Sequence, residues 1–445
     1  MSSIEWTNGL EEEVVTRFKE LIRINTSAPS GNETEAALYL AEVLASEGIE
    51  STIVESEPGR GNLLAKIKGG QEPPILLISH LDVVAAGEEQ WIHPPFSAVE
   101  EDGWIFGRGA LDTKNLVVME LMALILLKRA AVESNRDVNF IATADEEQGS
   151  RLGMKYLIQH YPQWFPKGWV INEGGGFYLS AGGRDYMLYT AGEKGVCRAT
   201  LFAAGQGGHA SCPPEEQAIQ KLAKAIAYIT AYTFPEEVVG VGKHFFDKVC
   251  KGKATEAPTD SLTVADAADT ADVMDATLQN LRQYVLKNSV AVNSVQVGER
   301  INVIAYKAQA QLEFRLLPHV KQAYVEELLQ KWCGEFGLRY QIDSFEGGFE
   351  SRLDDSVVMN QFEHFLRQHD PQVTLLPILA LGRTDGRFLG TQGSDVYGFS
   401  PLLKELPFAD VLQKVHNPNE AITVSSLLFG TQMIAETLRQ ICLES

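Results

Sequence analysis

Five short stretches of the chain carry acids or imidazoles at spacings that could do chemistry. Leu76-Leu77-Ile78-Ser79-His80-Leu81-Asp82 presents a histidine and, two residues on, an aspartate. Side chains two apart on a strand point the same way. A carboxylate that takes one imidazole N–H leaves the other ring nitrogen free for a metal. Gly107-Arg108-Gly109-Ala110-Leu111-Asp112-Thr113-Lys114 places Asp112 where a helix opens. Asp112 there is either an N-terminal cap or a carboxylate shared between two cations. Asp145-Glu146-Glu147 follows an apolar run. It is either a solvated turn or a pair of glutamates with divided labour, one holding a metal and its neighbour taking a proton from water. Asn172-Glu173-Gly174 and His416-Asn417-Pro418-Asn419-Glu420 add an acid and a second imidazole. Their plain alternatives are a turn and a helix-entry loop. Together, sites of one chemical type mostly at strand ends point to a metal centre.

The elements that must position these residues follow from periodicity. Apolar β-branched runs predict buried strands at Ile75–Ile78, Val138–Ala144 and Trp169–Asn172, with shorter strands at Ser51–Glu55 and Asn62–Ile67. Helical spacing predicts helices over 10–24, from Asn32 to near Gly48, over Lys114–Ala131 and over Gly149–Tyr161. Asn32 and Glu35 form a capping-box pattern. Residues 85–112 read as a long loop. Alternating strands and helices imply an α/β layer with a mostly parallel sheet, whose ligands sit at the carboxyl ends of strands. From about Gly192 the texture changes. Strands at Val196–Phe202, Val290–Gln296, Ala308–Arg315 and Leu338–Ile342, with helices over Glu215–Tyr232 and Ala323–Phe336, predict an inserted α+β domain. The expected division is a catalytic domain over 1–193 and 346–445, and an inserted domain over 194–345. Residues 234–278 are irregular. The α/β pattern resumes with a helix over Ser356–His369, a strand over Val396–Phe399 and a helix over Ser425–Leu443.

Composition sets outer bounds. The 445 residues are 45% hydrophobic and 22% charged, enough for two cores. A net charge of −21 argues against nucleic acid or an anionic membrane as partner. The five cysteines, Cys197, Cys212, Cys250, Cys333 and Cys442, form no Cys-x-x-Cys pair and read as reduced packing thiols of a cytoplasmic protein. The first ten residues hold no apolar signal region, and no run is long enough to span a membrane.

In order along the chain stand SHLDVV, WIHPPFSAVEEDGWIFGRGALDTK, ATADEEQGS, INEGG, GQGGHAS, GERINVIAYKA, FRLLP, GRTDGR and HNPNEAI. This series resembles the co-catalytic zinc peptidase family of aminoacylases, acetylornithine and succinyl-diaminopimelate deacylases, glutamate carboxypeptidase and Gly-X carboxypeptidases. The resemblance implies a zinc-exopeptidase-like catalytic domain with an inserted ferredoxin-like lid, and two zinc ions per subunit, with cobalt or manganese able to substitute. His80, Asp112 and Glu173 would hold one ion. Asp112, Glu147 and His416 would hold the other. Asp82 would orient His80, and Glu146 would be the general base. The inserted domain would mediate a homodimer and carry His209 to the other subunit's site. Asn302, Arg315, Thr384 and Arg387 match substrate-contacting positions or their neighbours, and an arginine can grip a carboxylate bidentately. The implied activity is hydrolysis of an N-acyl amino acid, or of a short peptide with a free C-terminal carboxylate. Dipeptidase activity and a non-catalytic binding role on the same fold are the alternatives. Three positions depart from the family pattern: Asn172 replaces an aspartate, Ala305 replaces a proline, and Val415-His416-Asn417-Pro418 replaces Gly-His-Gly-Pro.

Overall fold

The computed structural model describes residues 4–28, 31–87, 90–250, 275–298, 300–354 and 356–443. Residues 251–274 of the irregular 234–278 stretch, and the side chain of Cys250, lie outside the described residues. The four other cysteines are free thiols.

A ten-stranded sheet carries the α/β layer. Its order runs Ser51–Glu55, Gly61–Ile67, Arg136–Thr143, Glu72–His80, Trp169–Asn172, Asp395–Gly398, Arg184–Glu193, Phe349–Glu350, and Phe177–Ala181 and Thr374–Ala380 also pair with Arg184–Glu193. The sheet is mixed. Arg136–Thr143, Glu72–His80, Trp169–Asn172 and Asp395–Gly398 form a parallel block. Gly61–Ile67 and Ser51–Glu55 add to it antiparallel. In the parallel block all carboxyl ends lie on one edge, and His80 stands level with Thr143. The segments that follow these strands, 144–147 and 173, are therefore delivered to the same side as His80.

The Lys114–Arg129 helix is buried at every position from Lys114 to Leu127. A helix buried on all faces needs partners all round. It has them in the Asn8–Arg23 and Val424–Leu443 helices and the sheet strand Glu72–His80. Asn32 caps the Glu33–Ser46 helix by position, but its side chain makes no capping hydrogen bond and pairs with the Glu35 carboxylate instead. The stretch 85–112 holds two short strands, Glu100–Glu101 and Trp104–Phe106, the latter paired with Ala421–Thr423. That pairing anchors the Asp112 loop to the His416 loop. Strands Phe177–Ala181, Arg184–Glu193 and Thr374–Ala380 are additional to the expected set. Their apolar runs are interrupted by glycine, charge and proline, which weakens the periodic signal.

A second sheet orders Ser289–Val297, Lys307–Leu316, Gly195–Ala204 and Arg339–Glu346, antiparallel throughout. Lys307–Leu316 alternates buried and less buried residues, as a sheet covered on one face does. The Ala218–Thr230 and Gln322–Phe336 helices cover that face. The helices Gly240–Cys250 and Ala276–Leu286 go elsewhere. Phe245, Phe246, Leu278 and Leu281 pack with Leu376 and Ile378 of the main sheet. Part of the stretch between residues 194 and 345 therefore buries its apolar face on the main sheet.

Candidate metal centre

His80 ends its strand with a side chain only 2% exposed. Asp82 lies just beyond the strand rather than on it. The His80 Nδ1–H points to the Asp82 backbone carbonyl at 2.8 Å, while the Asp82 carboxylate is 3.5 Å away. That carboxylate accepts the backbone N–H groups of Glu146 and Glu147 at 3.0 and 3.1 Å. Asp82 thus orients the imidazole through its carbonyl and the two glutamates through its carboxylate. Asp145 supplies the sharp turn before them, with φ of +65°, a conformation aspartate tolerates. Its carboxylate is held by Arg60 at 3.2 Å and the Leu152 N–H at 2.8 Å.

Asp112 sits between two imidazoles. Its Oδ1 is 3.0 Å from His80 Nε2, and its Oδ2 is 3.1 Å from His416 Nε2. Glu173 Oε2 lies 3.5 Å from His80 Nε2, and Glu147 Oε1 lies 3.3 Å from His416 Nε2. The ligand atoms of His80, Asp112 and Glu173 all fall within 4.8 Å of one another, and so do those of Asp112, Glu147 and His416. These are the same two triads that the family resemblance implies, brought together with Asp112 common to both.

The donor set fits a pair of divalent cations. It is mixed nitrogen and oxygen, as zinc, cobalt or manganese accept. Glu147 Oε1 is buried yet has no properly directed hydrogen bond among the described residues, although His416 is close.

Electrostatics agree. Burial disfavours charge on His80, but Glu173, Asp112 and Asp82 outweigh it and hold the imidazole pKa well above its ordinary value. The Asp112 carboxylate and then that of Glu147, both close to the ring, push His416 up to about 10. Burial works to raise Asp112, but the two imidazoles hold its carboxyl below the usual range. Burial, opposed by His80, pushes Glu173 up to about 7. The imidazoles take up protons to offset the crowded carboxylates, and bound cations would displace those protons. Glu146 is buried, and its pKa is raised first by burial and then by Glu173. Arg387 Nη1 stands 3.7 Å from Glu146 Oε1.

A cavity of about 320 Å³ opens beside this cluster, lined by Asp112, Glu146, Glu147, Glu173, Thr384 and His416 among others. Thr384 is in the wall, and its hydroxyl donates to Glu193. Arg387 is buried behind it, bonded to the Thr384 carbonyl and the Ser150 hydroxyl. His209, Asn302 and Arg315 do not line the cavity. His209 is exposed on a two-residue strand paired with Val303–Ile304, its ring 2.8 Å from the Ser211 hydroxyl. The neighbouring Asn302 carbonyl accepts the Ala210 N–H. Arg315 is paired with Glu313 at 2.8 Å.

Two residues of this architecture were not anticipated. Glu420 is buried and accepts from Arg108 at 2.7 Å and from the backbone N–H groups of Gly109, Leu111 and Asp112 at 3.1, 2.7 and 3.1 Å. It ties the Asp112 loop into place. Glu193, also buried, takes the Thr384 N–H at 3.1 Å. Nothing local marks either glutamate as buried. The one cue is that Glu420 follows His416 closely in a loop that must meet the Asp112 loop.

A family model described as Peptidase family M20/M25/M40 matches residues 76–440. Human N-fatty-acyl-amino acid synthase/hydrolase PM20D1 is 27% identical over 385 residues, covering 83% of this chain and 75% of that one. Rat aminoacylase-1B is 26% identical over 442 residues, covering 96% and 97%. Among solved structures, the M20 family metallo-carboxypeptidase Sso-CP2 from Sulfolobus solfataricus superposes with a TM-score of 0.70 at 22% identity, covering 97% of this chain and all of that one. Human carnosine dipeptidase 1 superposes at 0.61 and 16% identity, covering 98% and 97%. At those identities the two structures show a shared fold.

Proposed function

The chain belongs to peptidase family M20/M25/M40, and from that premise we propose that it is a two-metal amidohydrolase acting on an N-acyl amino acid or a short peptide with a free C-terminal carboxylate. The observation that carries this is Asp112, with one carboxylate oxygen turned to each of two triads. His80, Asp112 and Glu173 would hold one ion, and Asp112, Glu147 and His416 the other. When bound, a pair of zinc-like ions supplies Lewis acidity and an acidified water.

The chain's own groups do the rest. Asp82 fixes the Glu146 backbone by accepting its N–H. Glu146 accepts a proton from water at its carboxylate and returns it to the departing amine nitrogen. Its raised pKa suits a group that must both take and give a proton. Arg387 holds it from behind. Thr384 lines the cavity beside it.

We assign dimerisation to the four-stranded unit, and an oxyanion-stabilising role to His209 of the partner subunit. The support is that His209 is exposed on a two-stranded ribbon that does not line its own chain's cavity. Asn302 beside it, and Arg315, are assigned to the substrate's polar end. The reduced thiols suit a cytoplasmic setting. Among the described residues, no helix is long and apolar enough to cross a membrane.

The test is a panel of N-acetyl, N-succinyl and N-formyl amino acids with dipeptides, assayed with zinc, cobalt and manganese. Metal-dependent release of a free amino acid supports the reading. Metal analysis finding a single ion in a fully active enzyme refutes the bridging role of Asp112.

A further inference from the structure

We propose that the cavity beside the metal centre is an acyl-chain subsite, so that amides of unbranched alkanoyl groups are favoured over acetyl. This deepens the hydrolase reading and rests on it. The cavity runs from the acidic cluster along walls of Phe177, Ile378, Leu381, Phe408, Val411 and Leu412. Phe177 and Phe408 stack at 6.2 Å between ring centroids. Leu381 and Leu412 stay 39% and 51% exposed, so the apolar surface reaches solvent at the mouth. Large apolar side chains left uncovered beside a reactive cluster are the mark of a ligand groove.

The cavity's charges favour the acyl half of the substrate over its carboxylate half. Beyond the acidic cluster, the charged side chain in its lining is Arg383, which is already paired with Glu346. The nearby Arg387 is buried and committed to Thr384, Ser150 and Glu146. With the acidic cluster given over to the cations of the hydrolase reading, a free carboxylate would find no uncommitted cationic side chain along the walls from Phe177 to Leu412, whereas a hydrocarbon chain finds matching ones. Leu412 stands on the Phe408–Lys414 helix, whose chain runs on into His416, so an apolar wall of the cavity and one imidazole of the cluster belong to the same short segment. At roughly 30 Å³ per heavy atom, water's share of its liquid, a volume of about 320 Å³ holds about ten such atoms.

The experiment is a series of N-acetyl, N-butanoyl, N-hexanoyl and N-octanoyl derivatives of one amino acid. Hydrolysis is measured with the wild-type enzyme. Binding is measured by calorimetry with the metal-loaded Glu146→Gln variant. Each methylene buried in the cavity lowers Kd about fourfold, so hexanoyl binds roughly two orders of magnitude tighter than acetyl. Leu412→Asp, at a half-exposed position, causes a loss that grows with chain length, whereas a uniform loss at every length overturns the subsite. A Kd independent of length overturns it as well. If wild type turns over acetyl and octanoyl substrates with equal kcat/KM, the subsite is wrong and the hydrolase reading stands. If nothing is hydrolysed but Kd still falls with length, the subsite stands and the hydrolase reading is wrong.

Discussion

Glu420→Gln tests whether the metal centre depends on a residue that touches no metal ligand side chain. Glu420 is 1% exposed. Its Oε2 accepts from Arg108 Nη1 and the Gly109 N–H, and its Oε1 accepts from the Leu111 and Asp112 N–H groups. Burial raises its pKa, but Arg108 opposes this and favours the charged form. Glutamine fills the same space with one donor where an acceptor stood. Whichever way the amide turns, its NH2 faces two N–H donors, and Arg108 loses its counter-charge while only 2% exposed. Breaking a buried ion pair by neutralising one partner costs about 3–5 kcal/mol, and part of that is recovered by the remaining acceptor. A net loss of about 2–4 kcal/mol is expected. The Asp112 loop then relaxes, and displacement of a reacting geometry by about 1 Å costs on the order of 100-fold in rate. The assay pairs kcat/KM with metal content after dialysis, beside thermal unfolding of both proteins. Expected are a lower unfolding midpoint, metal lost on dialysis, and a rate down by about two orders of magnitude. A variant that unfolds at the wild-type temperature with full metal and full activity refutes the reasoning, because the loop would then hold Asp112 unaided.

Glu146→Gln should retain its metal and lose about 10²–10⁴ in kcat, the usual value of a general base; near-normal turnover would remove it from that role. Asp112→Asn should lose metal from both triads together, which metal analysis reads directly, and loss of one ion alone would show the triads to be independent. His209→Ala should lower kcat, and mixing it with Asp112→Asn should restore activity in heterodimers; proven heterodimers without rescue would place His209 in its own chain's site. Glu193 is pushed up to about 7 by burial, above its unfolded value of about 4.5. The folded state therefore binds more protons between those values. The stability this contributes is complete below about 4.5 and is lost as pH rises through about 7, a swing of about 3 kcal/mol. Glu193→Gln should flatten that slope in denaturant titrations from pH 5 to 8, and an unchanged slope would assign it to other groups.

The sequence by itself determined the local elements and the chemical vocabulary. The Trp169–Asn172 strand and the strongly apolar helix from Lys114 follow from spacing, because burial on one face or on all faces leaves its period in the residues. The motif series determined the family and named both candidate triads that the fold gathers. Tertiary structure decided what each carboxylate does. Asp82 was read as orienting His80 through its carboxylate, yet that group caps Glu146 and Glu147 while its carbonyl takes the imidazole. Glu420 and Glu193 look like any surface glutamate in the sequence, since burial of a lone acid depends on donors hundreds of residues away. The destination of the Gly240–Cys250 and Ala276–Leu286 helices was likewise set by which sheet had an apolar face uncovered. Periodicity records that a residue has a buried side; only the folded chain says which partner lies against it.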